Sequence, residues 1–234
     1  MAKNRFSLIR NISFLLEFVN SRFQFSTRHI TKNQTYHIGT NYRNLLPPHG
    51  GNDPGKIGVD DSLEKDINLI IAKKVQAMLE QQDVEVIMTR EEDTGLYDEN
   101  SSNKKAQDLK NRCALINETQ PDCVVSIHQN SYHEEYVSGA QVFYYGTSAD
   151  AQRLAETLQA KLISYLDPGN TRQAKANESY YLLKKTEAPI AIVECGFLSN
   201  WEEAKLLQEE SYQSRVAWAV TMGVMEYLNE SLQQ

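Results

Sequence analysis

The apolar run Pro189-Ile190-Ala191-Ile192-Val193 ends on Glu194, followed by Cys195-Gly196-Phe197-Leu198-Ser199-Asn200. Charge at the end of a buried strand is costly to place, so a carboxylate there points to chemistry. Upstream lie His49-Gly50-Gly51-Asn52-Asp53-Pro54-Gly55, then Glu64, then Ser126-Ile127-His128-Gln129-Asn130. Two histidines and one carboxylate as ligands, with a second carboxylate left free, are the parts of a catalytic zinc site that hydrolyses amides.

Each of these residues also has a plainer reading. A histidine in a glycine-rich loop, such as His49, is commonly a surface residue. Asp61-Ser62-Leu63-Glu64 fits an N-terminal helix cap with Glu64 at the third helical position. His128, at the end of an apolar strand, could serve as a hydrogen-bonded structural histidine. Glu194 is the strongest single candidate, because buried carboxylates without partners are rare. His29, His37 and His133 lie in polar surroundings and read as solvent-exposed.

The elements that must position these side chains alternate along the chain. Leu63, Ile67, Ile70, Ile71, Val75, Met78 and Leu79 recur at helical spacing through 62–82, before a strand at 84–88. Ala106, Leu109, Cys113 and Ile116 mark a helix over 105–117, and Cys123-Val124-Val125-Ser126-Ile127 a buried strand. A strand at 139–145 and a helix at 149–165 precede a loop at 167–178. Ser199-Asn200-Trp201-Glu202, after the Glu194 strand, has capping-box spacing, and an amphipathic helix closes the chain over 212–229. This alternation predicts a single α/β domain with a mainly parallel or mixed sheet flanked by helices, whose ligands gather at the carboxyl ends of strands.

Composition narrows the function classes. Residues 1–46 carry seven Lys/Arg against Glu17 alone, a net of +6; the whole chain carries −7, which leaves −13 for the remainder. So acidic a body excludes nucleic acid as the main ligand. The break in sign predicts an N-terminal segment, 1–46, set apart from a catalytic domain at 47–230. Within that segment, Ile12 to Val19 behind Lys3, Arg5 and Arg10 is a candidate degenerate signal or membrane anchor, interrupted by Glu17. Cys113, Cys123 and Cys195 lack C-x-x-C spacing and read as buried free thiols.

Taken in order, His-Gly-Gly-x-Asp-Pro-Gly, the helix-entry Glu64, Ser-x-His-x-Asn and Val-Glu-x-Gly-Phe-Leu-Ser-Asn resemble the zinc-dependent N-acetylmuramoyl-L-alanine amidases of bacterial cell-wall metabolism. The resemblance covers residues 49 to about 229. Val86-Ile87-Met88-Thr89-Arg90, Ser138 to Gly146 and Asn170-Thr171-Arg172 are most similar to the germination-specific branch, which prepares spore-cortex peptidoglycan for muramic lactam formation. It implies Zn²⁺ held by His49, Glu64 and His128, Glu194 as the catalytic carboxylate, and Asn130 and Arg172 as substrate-binding residues. It further implies peptidoglycan as the partner and a place facing the cell wall or cortex, exported or membrane-anchored.

One stretch departs from the family pattern. Where an apolar first strand is expected, the chain reads Asn41-Tyr42-Arg43-Asn44-Leu45-Leu46-Pro47-Pro48. Proline cannot donate to a ladder. The expectation is that residues from about 20 to 48 are displaced from the ancestral sequence, as by a reading-frame shift, leaving the sheet one strand short. A catalytically defective peptidoglycan-binding or scaffold protein is then the alternative function. A zinc carboxypeptidase acting within the stem peptide is a further one.

Overall fold

The computed structural model describes residues 42–231. The candidate signal or anchor, His29 and His37 lie outside the described residues. The strands are β1 (Tyr42–Leu46), β2 (Glu85–Met88), β3 (Cys123–Asn130), β4 (Gln141–Tyr144), β5 (Lys175–Ala176) and β6 (Ile190–Phe197). The helices are α1 (Glu64–Glu80), α2 (Lys104–Thr119), α3 (Ala149–Tyr165), α4 (Tyr181–Lys185), α5 (Trp201–Gln208) and α6 (Glu210–Ser231). All six strands join one sheet in the order β2-β1-β3-β6-β4-β5. The first four in that order run parallel, and β4 is antiparallel to β6. The expected mixed, mainly parallel α/β architecture is the one observed. Among the described residues, no helix is long and apolar enough to cross a membrane.

Side chains alternate between faces along a strand, and here each face meets its own layer of helices. Cys123, Val125 and Ile127 of β3, with Ala191, Val193 and Cys195 of β6, join the core built with Ile67, Ile71, Val75 and Leu79 of α1. Leu154 and Leu158 of α3 and Val216 and Val220 of α6 complete that layer. Burying each of these aliphatic side chains is worth about 1.5–3 kcal/mol. Gly223 sets how closely α3 and α6 meet, because a Cβ there would lie 2.7 Å from Leu158 Cδ2 and 3.1 Å from its Cα. On the other face, Leu46, Val124, Ile190 and Ile192 pack with Cys113 and Ile116 of α2 and Leu182 and Leu183 of α4. All three cysteines are buried, as read from the sequence.

The expectation of a missing strand is corrected. β1 is present in the interior of the sheet, pairing in parallel with β2 on one side and β3 on the other. Leu45 and Leu46 suffice to anchor so short a strand, being 1% and 0% exposed. Pro47 and Pro48 begin where the ladder ends, so their missing N–H groups interrupt nothing. The site therefore has its supporting strand, and the ground for reading the chain as a defective scaffold is removed.

Candidate metal centre

Glu194 and His128 reach the site through strand register. They face each other as paired residues of β6 and β3, in phase with Ile192 and Val124 on the α2 and α4 side of the sheet. Immediately beyond, the register slips, so that Asn130 pairs with Phe197 and two residues of β6 oppose Gln129 alone. Such a bulge leaves an extra β6 residue unpaired and disrupts the ladder opposite Gln129. The Gln129 N–H instead donates to Glu64 Oε1 at 3.2 Å, and its side chain donates to Asn68 Oδ1 at 3.1 Å.

Glu64 is the first residue of α1, and the helix-cap reading fails. The residue before the helix is Leu63, which has no side-chain capping bond. The Glu64 carboxylate is buried, 2% exposed, and turns away from the helix start. Its Oε1 lies 3.0 Å from His128 Nδ1 and its Oε2 lies 3.3 Å from His49 Nε2. Oε2 also accepts from the Lys56 N–H at 2.8 Å. Burial pushes this carboxyl's pKa up, but hydrogen bonds with His128 and His49 outweigh it and hold it well below the usual range.

His49 follows β1 on a loop and has a left-handed backbone, φ 62°. Its Nδ1 lies 2.8 Å from Asp53 Oδ2, and Asp53 Oδ1 accepts from the Gly55 N–H at 3.1 Å. Burial lowers the His49 pKa, but its bonds to Glu64 and Asp53 more than offset this and raise it. Gly55 closes the cradle at φ +72°, where a Cβ would fall 2.6 Å from Glu64 Oε2 and 2.8 Å from His49 Cδ2. No side chain fits between those two residues.

His49, Glu64 and His128 each present one ligand atom, all within 4.8 Å of one another. Two imidazoles and a carboxylate, with an imidazole oriented by a second carboxylate, fit a divalent ion of the zinc type. Two further atoms support the fit, since His128 Nε2 and Glu194 Oε2 are buried without a hydrogen-bond partner. Burial is the main reason that the Glu194 carboxyl is pushed up to about 7, with the Glu64 charge adding to it and His128 opposing. A carboxylate of that basicity, beside ligands that can hold a metal, is suited to move a proton.

These residues open onto a cleft of about 550 Å³ at the carboxyl ends of β3 and β6. Asn130 lines it, as do Lys105 of α2 and Tyr180 and Tyr181 at the start of α4. Arg172 does not join them. Its Nε donates to Ser138 O at 2.7 Å, its Nη1 to Gln141 Oε1 at 3.2 Å, and it stacks 4.9 Å from the Phe197 ring centroid. His133 is exposed, as its sequence context implies.

Sequence reasoning missed Asp53, the two tyrosines and a pair of buried arginines, Arg90 and Arg112. Asp53 left a signal, standing four residues after His49 within one glycine-rich loop. Arg112 left none, because Asp108 and Arg112 at i, i+4 look like an ordinary solvated helix pair.

Comparison with known proteins adds to this geometry. A family model described as N-acetylmuramoyl-L-alanine amidase matches residues 45–226. The germination-specific N-acetylmuramoyl-L-alanine amidase of Bacillus subtilis is 38% identical over 226 residues, covering 94% of each chain. β1 in the sheet overturns the missing-strand part of the displaced-frame expectation, while residues from about 20 to 41 lie outside the described residues. Among solved structures, the CwlD amidase of Clostridioides difficile, determined in complex with the GerS lipoprotein, superposes with a TM-score of 0.79. It is 39% identical, over 81% of this chain and 98% of that one. A second amidase, from Clostridium difficile 630, gives a TM-score of 0.73 at 31% identity, over 81% of this chain and 97% of that one.

Proposed function

The chain belongs to the N-acetylmuramoyl-L-alanine amidase family, and from that premise we propose a zinc-dependent enzyme that removes stem peptides from spore-cortex peptidoglycan. The amidase activity belongs to the family as a whole, which also sets the work outside the cytoplasm, where the wall is. The cortex as the particular substrate rests on the likeness to the germination-specific relative. The single observation that carries the chemistry is the convergence of His49, Glu64 and His128 beside the unpartnered, buried Glu194.

In this reading, His49, Glu64 and His128 would hold the ion. When bound, the ion supplies Lewis-acid stabilisation of the developing oxyanion and makes the attacking water more acidic. Glu194 takes the proton from that water as it attacks the lactyl–alanyl carbonyl, and passes it to the departing amine of L-alanine. Asp53 fixes the ring of His49 through Nδ1, and the Lys56 and Gln129 N–H groups fix the Glu64 carboxylate. Asn130 and the tyrosines of α4 line the cleft and help to orient the glycopeptide. Arg172 acts at a distance from the reacting amide, holding the chain that leads into β4.

Digestion of purified cortex with the zinc-loaded protein tests the assignment. Mass analysis of the fragments should find glycan with unsubstituted muramic acid and free stem peptides beginning at L-alanine. Single amino acids released from the far end of the stem would instead mark a carboxypeptidase and defeat the proposal. Equal action on vegetative peptidoglycan would remove only the cortex preference.

A further inference from the structure

Behind the metal-site loop lie two guanidinium groups that never reach the cleft. Arg112 is 0% exposed and Arg90 is 4% exposed. Between them they bind three successive carbonyls of the segment leaving β1. Arg90 Nε donates to Pro47 O at 3.0 Å and its Nη2 to Pro48 O at 3.2 Å. Arg112 Nη1 donates to Pro47 O at 3.2 Å and its Nη2 to His49 O at 3.3 Å. Asp108 holds Arg112 from the far side, with Oδ2 2.6 Å from Nε and Oδ1 3.2 Å from Nη2. Thr89 Oγ1 accepts from Nη1 at 2.6 Å.

A buried guanidinium is expensive unless a carboxylate and several acceptors satisfy it. The fold meets that cost at the residue that needs external support. His49 is not a glycine, yet its φ of 62° puts it in the left-handed region. A non-glycine residue persists there only when its surroundings over-determine it. Asp53 fixes the imidazole ring and its own carbonyl accepts from the Gly50 N–H at 3.0 Å, but nothing of Asp53 holds the His49 carbonyl oxygen. Arg112 supplies that hold.

We propose that Arg112, pinned by Asp108 and flanked by Arg90, is a positioning residue that keeps His49 in its left-handed conformation and thereby sets the metal affinity of the site. This rests on the reading of His49 as a ligand, and the test separates the two. Zinc affinity of the full chain is measured by competition with a chromogenic chelator for the parent, His49→Ala, Arg112→Met and the double variant. Unfolding of each metal-free protein is followed in parallel. Arg112→Met should weaken zinc by about 10–100-fold, the usual effect of losing support behind a ligand. In the His49→Ala background the same substitution should add no further loss, because the residue through which it acts is gone.

An equal loss in both backgrounds would mean general loosening of the fold and would overturn the inference. So would unchanged affinity in Arg112→Met while His49→Ala is impaired, leaving the ligand assignment standing. Unchanged affinity in His49→Ala would overturn both. If Arg112→Met does not fold, Asp108→Asn enters the same cycle, since it keeps the side-chain shape while weakening the hold on Arg112. The same non-additivity is then expected, and its absence counts against the inference.

Discussion

At the level of single residues, the protein gives up stability to keep Glu194 buried. The carboxyl has an ordinary pKa of 4.5 and is pushed up to about 7 in the fold, chiefly by burial. Below pH 4.5 it is protonated in both folded and unfolded chains and contributes nothing. As pH rises toward 7 the folded chain keeps a proton that the unfolded chain has released, so stability falls across that window. Above it the loss levels off at about 3 kcal/mol. Glu194→Gln cannot ionise, so the metal-free variant should gain in melting temperature over the parent between pH 4.5 and 7 and hold that gain at higher pH. Its turnover on cortex should fall by about 10²–10⁴-fold, with zinc content unchanged. A pH-independent melting difference, or an active variant, would remove Glu194 from the role given to it. Glu194 was legible because a carboxylate closing five apolar residues has few innocent explanations. Arg112 was illegible because its burial depends on packing against a loop more than sixty positions away, which no local pattern records.

At the level of elements, periodicity located the long helices and the central strands, and failed where elements are short or their ends fall out of phase. Helix α4 and strand β5 bury too few residues to carry a period, and β1 rests on Leu45 and Leu46. The cap of α5 is Asn200, which accepts from the Glu202 and Glu203 N–H groups, one position beyond the Ser199 that the capping pattern indicated. Ser199 is engaged elsewhere, accepting from the Tyr132 N–H. The loop between β1 and α1 has little latitude, and Gly55 is where it passes between Glu64 and His49. Gly55→Ala should leave the helices intact by circular dichroism and lower zinc affinity at least tenfold, since the added carbon must displace Glu64 or His49. Parent-like affinity in that variant would show that the loop yields, and that the cradle does not depend on glycine.

At the level of the whole molecule, the proposed ligands come from the loop after β1, the start of α1 and the end of β3, so an ion held there would tie together three distant stretches of chain. Zinc at a hundred times its dissociation constant should stabilise the fold by about 2.7 kcal/mol. For a domain of this size that corresponds to a rise in melting temperature of roughly 5–11 °C. Chelation should reverse the rise, and His49→Ala should show little of it; a melting curve indifferent to zinc in the parent would count against a bound ion. The position of β1 also governs the order of events in biosynthesis. It is the earliest described strand to be made, yet it lies between β2 and β3, which are both made later, and β6 enters last. A growing chain therefore carries His49 just beyond a strand with no neighbour until β2 is synthesised and no second one until β3, and has no Glu194 until the sheet is nearly complete. Parallel pairings over such separations form late in folding. No chain that stops short of residue 194 holds the full proposed hydrolytic set, so the site is completed only as the last strand joins the sheet.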